Sequence, residues 1–468
     1  MQAERIKKDE IFAALPKLSE SHFLSSIQEV GKEKVDAIIV LDDDPTGTQT
    51  VSDVPVLTQW DTDTIISEFQ NESPLFFILT NSRSLTEKEA KEQASTIGKN
   101  IQRAAKKTGT RYWVISRSDS TLRGHYPAEF IALEEGLEWK NGVHFIIPAF
   151  FEGGRYTIDN IHYVLNDDEL IPAAQTPFAE DKVFGFKNSE LRHWVVEKND
   201  GKIAIENVAT ISIEELRTAS EDALIEKLNH FKDGTLCVVN AADYQDLHFF
   251  SLALMKTEIQ PLFRTAASFV SAIAGLEKKP LLSGKTIRDN SENGGLIIVG
   301  SYVPTSSSQL YHLLSHREDI QNIEIQVDQI LGVQNQESLY QEYVNQINGF
   351  IRSGQTVVVY TSRKLVSAES DDKNQEIGKT VSNFITQIIS HLDVCPAYLL
   401  TKGGITSSDI ATKGLGIKRA IVRGQIIKGV PVWELGGETR FPKSHQIIFP
   451  GNVGTNESLT EVVEKLMK

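Results

Sequence analysis

The sequence holds only two cysteines in 468 residues, Cys237 and Cys395. They stand far apart with no Cys-x-x-Cys pair, which excludes a thiolate zinc site and a disulfide framework. Each lies in an apolar string, Leu236-Cys237-Val238-Val239 and Asp393-Val394-Cys395-Pro396, so core packing is the expected role. Basic charge is also in deficit: Lys and Arg total 48 against 63 Asp and Glu, a formal charge of −15. An overall basic footprint for nucleic acid or an anionic membrane is therefore absent, while a local basic cleft stays open. Long apolar runs are missing too. The longest uncharged stretch, Asn293 to His316, carries Pro304, a block of Ser and Thr, and Gln309, and does not read as a membrane span. The first residues, Met1 to Glu10, are charged and lack the apolar core of a signal peptide, so a reducing, cytoplasmic setting is expected. No Gly-x-Gly-x-x-Gly follows the first candidate strand, which argues against a standard dinucleotide fold. Ser283-Gly284-Lys285-Thr286 imitates the end of a Walker loop, but Lys279 stands where glycine is required and no strand precedes it.

What is present is the composition of an ordinary globular enzyme, 40% hydrophobic, 24% charged and 8% aromatic. Short β-branched runs alternate with amphipathic stretches, the signature of βαβ units and parallel sheets. The first series of strands is Ala37–Leu41, Leu75–Leu79, Tyr112–Ile115, His144–Ile147 and Thr235–Val239. A second comprises Leu296–Val299, Ile323–Val327, Thr356–Tyr360, Ala397–Leu400, Arg419–Val422 and Ile426–Trp433. Between them Gly275–Gly295 is polar and rich in breakers, the best linker candidate. The predicted fold class is α/β, with two domains, each a mainly parallel sheet flanked by helices, and ligands in the cleft between them. The expected division is a helical N-terminal extension over 1–35, a substrate-binding domain over 36–280 and a nucleotide-binding domain over 281–468.

In open α/β sheets ligands sit beyond the carboxyl ends of strands, so the polar residues that follow each apolar run carry the information. Asp42-Asp43-Asp44-Pro45-Thr46-Gly47 places three carboxylates at the end of a buried strand. Asp43 and Asp44 could bind a polyol or Mg²⁺, with Thr46 and Gly47 offering backbone N–H groups; a solvated Asx turn is the plainer alternative. Arg83, after Leu79, either clamps a carboxylate with its planar fork or makes an interdomain salt bridge. Arg117-Ser118-Asp119-Ser120-Thr121-Leu122-Arg123-Gly124-His125 suits a small hydroxylated anion. Arg117 and Arg123 would neutralise charge, Ser120 adds a hydroxyl and Asp119 could accept a proton, unless Asp119 merely pairs with an arginine. His125 alone reads as structural. Gly153-Gly154-Arg155 allows a close backbone approach or forms a plain turn, and Gln175–Asp181 is uninformative. In the second half, Gly300-Ser301 leads to a probable helix start with Pro304, Thr305 and Ser306; Thr401-Lys402-Gly403-Gly404-Ile405-Thr406-Ser407 and Gly451-Asn452-Val453-Gly454 follow later strands. The first of these either forms an anion site from unpaired N–H groups and hydroxyls at the helix start or merely caps the helix, and Thr406 or Ser407 could cap the helix after the second. Three such loops in one domain point to a nucleotide cradle.

At Asp43-Asp44-Pro45-Thr46-Gly47, Asp119-Ser120-Thr121-Leu122-Arg123-Gly124 and Gly403-Gly404-Ile405-Thr406, the sequence resembles the four-carbon acid sugar kinases. The resemblance runs from about Ile38 to Gly454, and the Asp-Ser-Thr-Leu-Arg-Gly string is its most specific element. It implies that Asp43, Asp44, Arg83, Asp119 and Arg123 line an acid-sugar site with Arg155 nearby, and that Ser301, Gly403, Gly404, Thr406 and Gly451 contact ATP. Thr305 and Ile405 lie in the same nucleotide loops and are included with them. The chain departs from the family pattern at Asp42, Pro45, Thr48, Arg117, His125, Tyr302-Val303 and Val453. The resulting expectation is an ATP-dependent kinase acting with Mg²⁺ on a terminal hydroxyl of threonate, erythronate or 3-oxo-tetronate. Arginines would fix the carboxylate, and Asp119, ahead of Asp44, would accept the proton. Two alternatives stay open: a catalytically altered nucleotide-binding protein of the same fold, and a metal-dependent acid-sugar lyase or aldolase. No metal ligand is assigned, neither nucleic acid nor membrane is expected as a partner, and self-association into a homo-oligomer is left open.

Overall fold

A computed structural model describes residues 4–18, 22–139, 142–288, 291–301, 303–333, 335–362, 371–451 and 453–467. Of the residues singled out above, Met1, Tyr302 and Asn452 lie outside the described residues, as do positions 289–290 of the linker candidate. The chain divides into two compact units, Met1–Lys278 and Lys279–Lys468. Both are α/β, with a mainly parallel sheet flanked by helices.

In the first unit the strands are β1 (Ile6–Lys7), β2 (Ala37–Asp42), β3 (Val54–Leu57), β4 (Leu75–Leu79), β5 (Tyr112–Arg117), β6 (Val143–Ile147), β7 (Arg155–Ile158), β8 (Ile161–Asn166), β9 (Glu169–Pro172), β10 (Val208–Ile211), β11 (Leu236–Val239) and β12 (Pro261–Thr265). The main sheet runs β10-β11-β6-β12-β5-β2-β4-β3, with every pair parallel. All six residues of β2 and all five of β4 are buried, as a sheet covered on both faces requires. One cover is the helix Glu87–Thr108. Thr86 and Glu89 close a reciprocal capping box at its start, and Gly109, at φ +76°, ends it. Ala90, Ala94, Ile97, Ile101 and Ala104 recur at helical spacing and form its buried face.

Several features of this unit differ from the sequence reading, which also left β3 and β10 unmarked. β7, β8 and β9 form an antiparallel meander to which β1 adds a fourth strand, so the N-terminal extension contributes a strand as well as the helices Lys8–Ala14 and Leu24–Lys34. The first hairpin turns at Asp159-Asn160, both at positive φ, the two-residue geometry whose backbone twist matches the flanking strands. Strand β12 is inserted between β5 and β6 and was missed because Arg264 interrupts its apolar run.

The second unit contains β13 (Leu296–Val299), β14 (Gln321–Ile325), β15 (Val357–Thr361), β16 (Leu399–Lys402), β17 (Arg419–Ile427), β18 (Val430–Leu435) and β19 (His445–Phe449). Their order is β17-β18-β19-β16-β13-β15-β14, parallel from β19 to β14 and antiparallel at β17-β18-β19. The expected strand Ile426–Trp433 is corrected: it is a hairpin, turned at Gly429 with φ +80°. The Walker imitation lies on the short helix Gly284–Arg288, where a Cβ on Gly284 would fall 1.8 Å from the Lys465 carbonyl oxygen. That glycine serves helix packing. Among the described residues no helix is long and apolar enough to cross a membrane. Cys237 is buried and Cys395 partly so, both as free thiols.

Candidate functional site

Parallel register brings four loops of the first unit to one carboxyl edge. Strands β12, β5, β2 and β4 are consecutive neighbours, and they end at Thr265, Arg117, Asp42 and Leu79. The charged residues that follow or end them therefore converge. Arg83 is the hub: its Nη2 donates to Asp43 at 2.6 Å, and its Nη1 lies 3.6 Å from Asp44 and 3.9 Å from Asp119. Asp43 also accepts from Ser118 Oγ. Burial works to raise its pKa, but the Arg83 guanidinium outweighs it and holds Asp43 below the ordinary aspartate value. Asp119 accepts from Thr121 Oγ1 and from Arg123 Nε at 2.9 Å, with Arg123 Nη2 at 3.3 Å on its other oxygen. Against burial, Arg123 and Arg83 hold it well below the usual carboxylate range. Asp44 is less engaged. Its Oδ1 accepts from the Thr46 N–H at 2.8 Å, and among the described residues Oδ2 has only the 3.6 Å approach of Arg83.

The cluster thus joins Asp43, Asp44, Arg83, Asp119 and Arg123, five of the residues singled out for the sugar side. Arg155 stands beside them with a charge felt by Asp119 and Arg123, and its Nε is buried with no hydrogen-bond partner among the described residues. Ser120 is buried, and its carbonyl oxygen meets His162 Nε2 at 2.7 Å.

Two expectations are corrected here. The Thr46 and Gly47 N–H groups do not offer themselves to a ligand: they bond Asp44 Oδ1 and the Asp44 carbonyl and close the turn Pro45–Thr48. Arg117 is not an open anion clamp. It is buried opposite Asp42, its cross-strand partner in register, with Nη1 3.2 Å from Asp42 and 3.7 Å from Asp43. Asp42 is 1% exposed, one of its oxygens has no partner, and burial lifts its pKa to about 7 against the pull of Arg117. A Cβ on Gly47 would come within 2.1 Å of that carboxylate, so the glycine is fixed by Asp42. His125 is structural, bonded at 3.0 Å to the Leu85 carbonyl oxygen and edge-on to Phe184.

Sequence reasoning missed several supports. Arg264 donates from Nη2 to the Arg123 carbonyl oxygen at 2.9 Å. His162 lies between Ser120 and Thr157, kept neutral by burial that lowers its pKa to about 4. Phe178 and Asp181, from the loop dismissed as uninformative, both reach Arg123: its guanidinium carbon lies 5.1 Å from the Phe178 ring centre, and Nη1 lies 3.9 Å from Asp181. Glu129 is pushed up to about 7, chiefly by burial, and also feels the charge of Asp43. Only the long-range fold signals these five positions.

The nucleotide-side candidates gather in the second unit by the same rule. Strands β13, β16 and β19 are adjacent and parallel, and Val299, Lys402 and Phe449 are register partners at their ends. Ser301, Gly403 and Gly451 follow directly. Ser306 links two of the loops, its Oγ donating to the Gly451 carbonyl oxygen at 3.2 Å and hydrogen-bonded to Ser301 Oγ at 3.1 Å. Gly403 adopts φ +115°, and a Cβ there would lie 2.9 Å from Ser301 Cβ, so both backbone shape and space require glycine. Thr406 packs its side chain against Gly300. Gly404 opens the helix Gly404–Asp409, Ile405 beside it is 61% exposed, and Thr305 is half-buried in the first turn of the helix Pro304–His316. The capping expectations fail at both helices: no side chain caps either start, and Ser407 Oγ bonds the Thr401 carbonyl oxygen instead. Gln309 holds the third loop through the Val453 and Thr455 carbonyl oxygens at 3.0 and 2.7 Å.

Among the described residues no group of three or more His, Cys, Asp and Glu side chains could hold a metal ion, and Asp42, Asp43 and Asp119 are committed to arginines. A divalent cation would therefore depend on phosphate oxygens brought by a nucleotide.

A sequence profile described as a sugar-binding N-terminal domain matches residues 38–273, and one described as a nucleotide-binding C-terminal domain matches residues 296–459. Among solved structures, a Salmonella typhimurium LT2 protein described as a tRNA synthase is 16% identical and superimposes with a TM-score of 0.66, covering 92% of this chain and 98% of its own. A Haemophilus influenzae protein assigned to a domain family of unknown function is 18% identical with a TM-score of 0.60, covering 92% and 100%. At these identities the likeness is one of fold. No curated protein matches the chain.

Proposed function

The chain belongs to the four-carbon acid sugar kinase family, and from that premise we propose that it transfers the γ-phosphoryl group of ATP to a terminal hydroxyl of a small sugar acid such as threonate, erythronate or 3-oxo-tetronate. The observation that carries the reading is the arginine-braced carboxylate cluster at the edge of the sugar-binding sheet, in which Asp44, unlike Asp43 and Asp119, keeps a lightly held oxygen. Arg155, with an unpartnered buried N–H, and Arg123 receive the substrate carboxylate. Asp44 accepts the proton of the attacking hydroxyl. This reverses the expected order: Asp119 has both oxygens engaged and its pKa held low, which suits orienting Arg123 and Arg83 better than taking a proton. The hydroxyl oxygen bonds to phosphorus as the bond to the ADP oxygen breaks. Gly403, Gly404, Ile405, Thr406 and Gly451, with Ser301 and Thr305, hold the nucleotide. Mg²⁺, carried on the phosphates, supplies charge neutralisation.

A coupled ADP-release screen over tetronates, 3-oxo-tetronates and branched acids tests this reading. One acid giving ATP-dependent turnover well above the rest is the expected result. Turnover with metal and no ATP would put a lyase in its place, and ATP binding with no ADP formed on any acid would put a binding protein there.

A further inference from the structure

The fully buried side chains of the second unit include a lysine that neither the motif reading nor the proposed reaction uses. Lys402 ends β16, the middle strand of the three whose loops form the nucleotide cluster, and it is 0% exposed. Its Nζ donates to the Pro450 carbonyl oxygen at 2.6 Å, reaches the Gly451 carbonyl oxygen at 3.4 Å, and lies 4.0 Å from the centre of the Phe449 ring. These partners are neutral. Among the described residues the elements packed against β16 offer no countercharge either: β13 is all apolar, His445 on β19 is bonded to the Ile287 carbonyl oxygen, and Asp409 on the helix Gly404–Asp409 is paired with Lys413 at 2.7 Å. A buried ammonium without an anion is expensive, and such groups survive where they are functional or where an anion arrives.

We propose that Lys402 is the positioning cation for a nucleotide phosphate, holding the Pro450-Gly451 turn from beneath and supplying the one buried positive charge on which the Ser301, Gly403 and Gly451 loops close. The Gly451 carbonyl oxygen accepts from both Lys402 and Ser306, so the state of the lysine is transmitted to two of the three loops. Desolvation lowers the pKa of Lys402 to about 7 in the free protein. An arriving phosphate favours the charged form and raises that value, so nucleotide binding takes up a proton.

The inference deepens the proposed function and rests on its nucleotide half. The test is calorimetric titration of the full chain with ADP near pH 8, in two buffers of different ionisation enthalpy. The wild type should take up about one proton per ADP, and its affinity should weaken by up to about tenfold from pH 8 to 9. Lys402→Met should lose the uptake and bind at least about tenfold more weakly, whereas Lys402→Arg should bind within a few-fold and without uptake. Equal proton uptake in wild type and Lys402→Met would overturn the proposal. So would wild-type affinity independent of pH over that range, a result that needs no variant to fold. Failure of ADP to bind at all would overturn this inference and the kinase reading together. Lys402-linked binding without phosphoryl transfer to any acid would support the inference and remove only the kinase.

Discussion

The two candidate regions treat charge in opposite ways. On the sugar side, Arg83, Arg117 and Arg123 are cross-linked to Asp42, Asp43, Asp44 and Asp119, so almost every charge has a partner before any ligand arrives. On the nucleotide side, glycines, hydroxyls and main-chain groups surround a single buried lysine with no anion. The difference matches the ligands proposed. A sugar acid carries one carboxylate and several hydroxyls, and recognising it calls for many fixed donors and acceptors. Opposite charges hold these in place and limit their reorganisation. A polyphosphate brings its own large charge, so its site needs space, N–H groups and a cation that the ligand itself neutralises.

The comparison breaks most sharply at Asp44, the carboxylate of the cluster that is lightly held and, unlike Asp42, partly exposed. Asp44→Asn preserves the cap on the Thr46 N–H, because asparagine caps as well as aspartate, and removes the proton acceptor. It should lower kcat by about 10²–10⁴-fold with little change in thermal stability. If Asp119→Asn abolished turnover while Asp44→Asn left kcat within a few-fold of wild type, the order of the two aspartates would revert.

Next in size is the buried pair. Arg117→Met strands Asp42 and removes a neighbour of Asp43, and should destabilise the sugar-binding unit by about 3–5 kcal/mol. Arg117→Lys keeps a charge and should cost less. Asp42 adds a pH signature. Its native pKa of about 7 exceeds the ordinary aspartate value of 3.8, so the native state holds this proton more tightly than the unfolded chain. Its stabilising contribution is complete below the unfolded value and is lost as pH rises toward 7. Asp42→Asn should flatten the dependence of Tm on pH over that window, with stability followed by circular dichroism.

The pair also marks how far the sequence could be read. The strands β2, β4 and β13 were legible because continuous apolar runs have few other uses, and the polar loops after them followed from the α/β rule. Asp42 and Arg117 were visible only separately, as one of three strand-end carboxylates and as one of two loop arginines, each a departure from a family pattern. Parallel register places them side by side and turns two oddities into one pair. The same limit applied to Arg264 inside β12 and to Asp181, both of which meet Arg123 only through the tertiary fold. The meander of β7, β8 and β9 was hidden differently: its Asp159-Asn160 turn signal is local, but its strands are short and carry polar residues.

A smaller effect separates the two ways glycine is used. Gly47→Ala drives a methyl into the Asp42 carboxylate 2.1 Å away, and should cost about 1–3 kcal/mol as the buried carboxylate shifts. Combined with Asp42→Ala, which opens that space, the cost should fall, and the coupling would be read from a double-mutant cycle. Additive effects would mean that the glycine answers to something other than Asp42.

The smallest expected effect tests whether the nucleotide side is held as loosely as its lack of ion pairs implies. Ser306 Oγ joins Ser301 Oγ to the Gly451 carbonyl oxygen, and Ser306→Ala removes both links. Lys402 remains within 3.4 Å of that carbonyl, so the acceptor keeps a donor and the loss should be about 1 kcal/mol, the worth of an ordinary hydrogen bond. Hydrogen exchange should then show faster opening of the loops that follow β13 and β19, with the arginine-linked loops of the sugar side unchanged. In Lys402→Met the same substitution should cost more, because Gly451 would then lose both of its side-chain donors. Equal costs in the two backgrounds would mean that lysine and serine act independently and that the three loops are not one linked cradle.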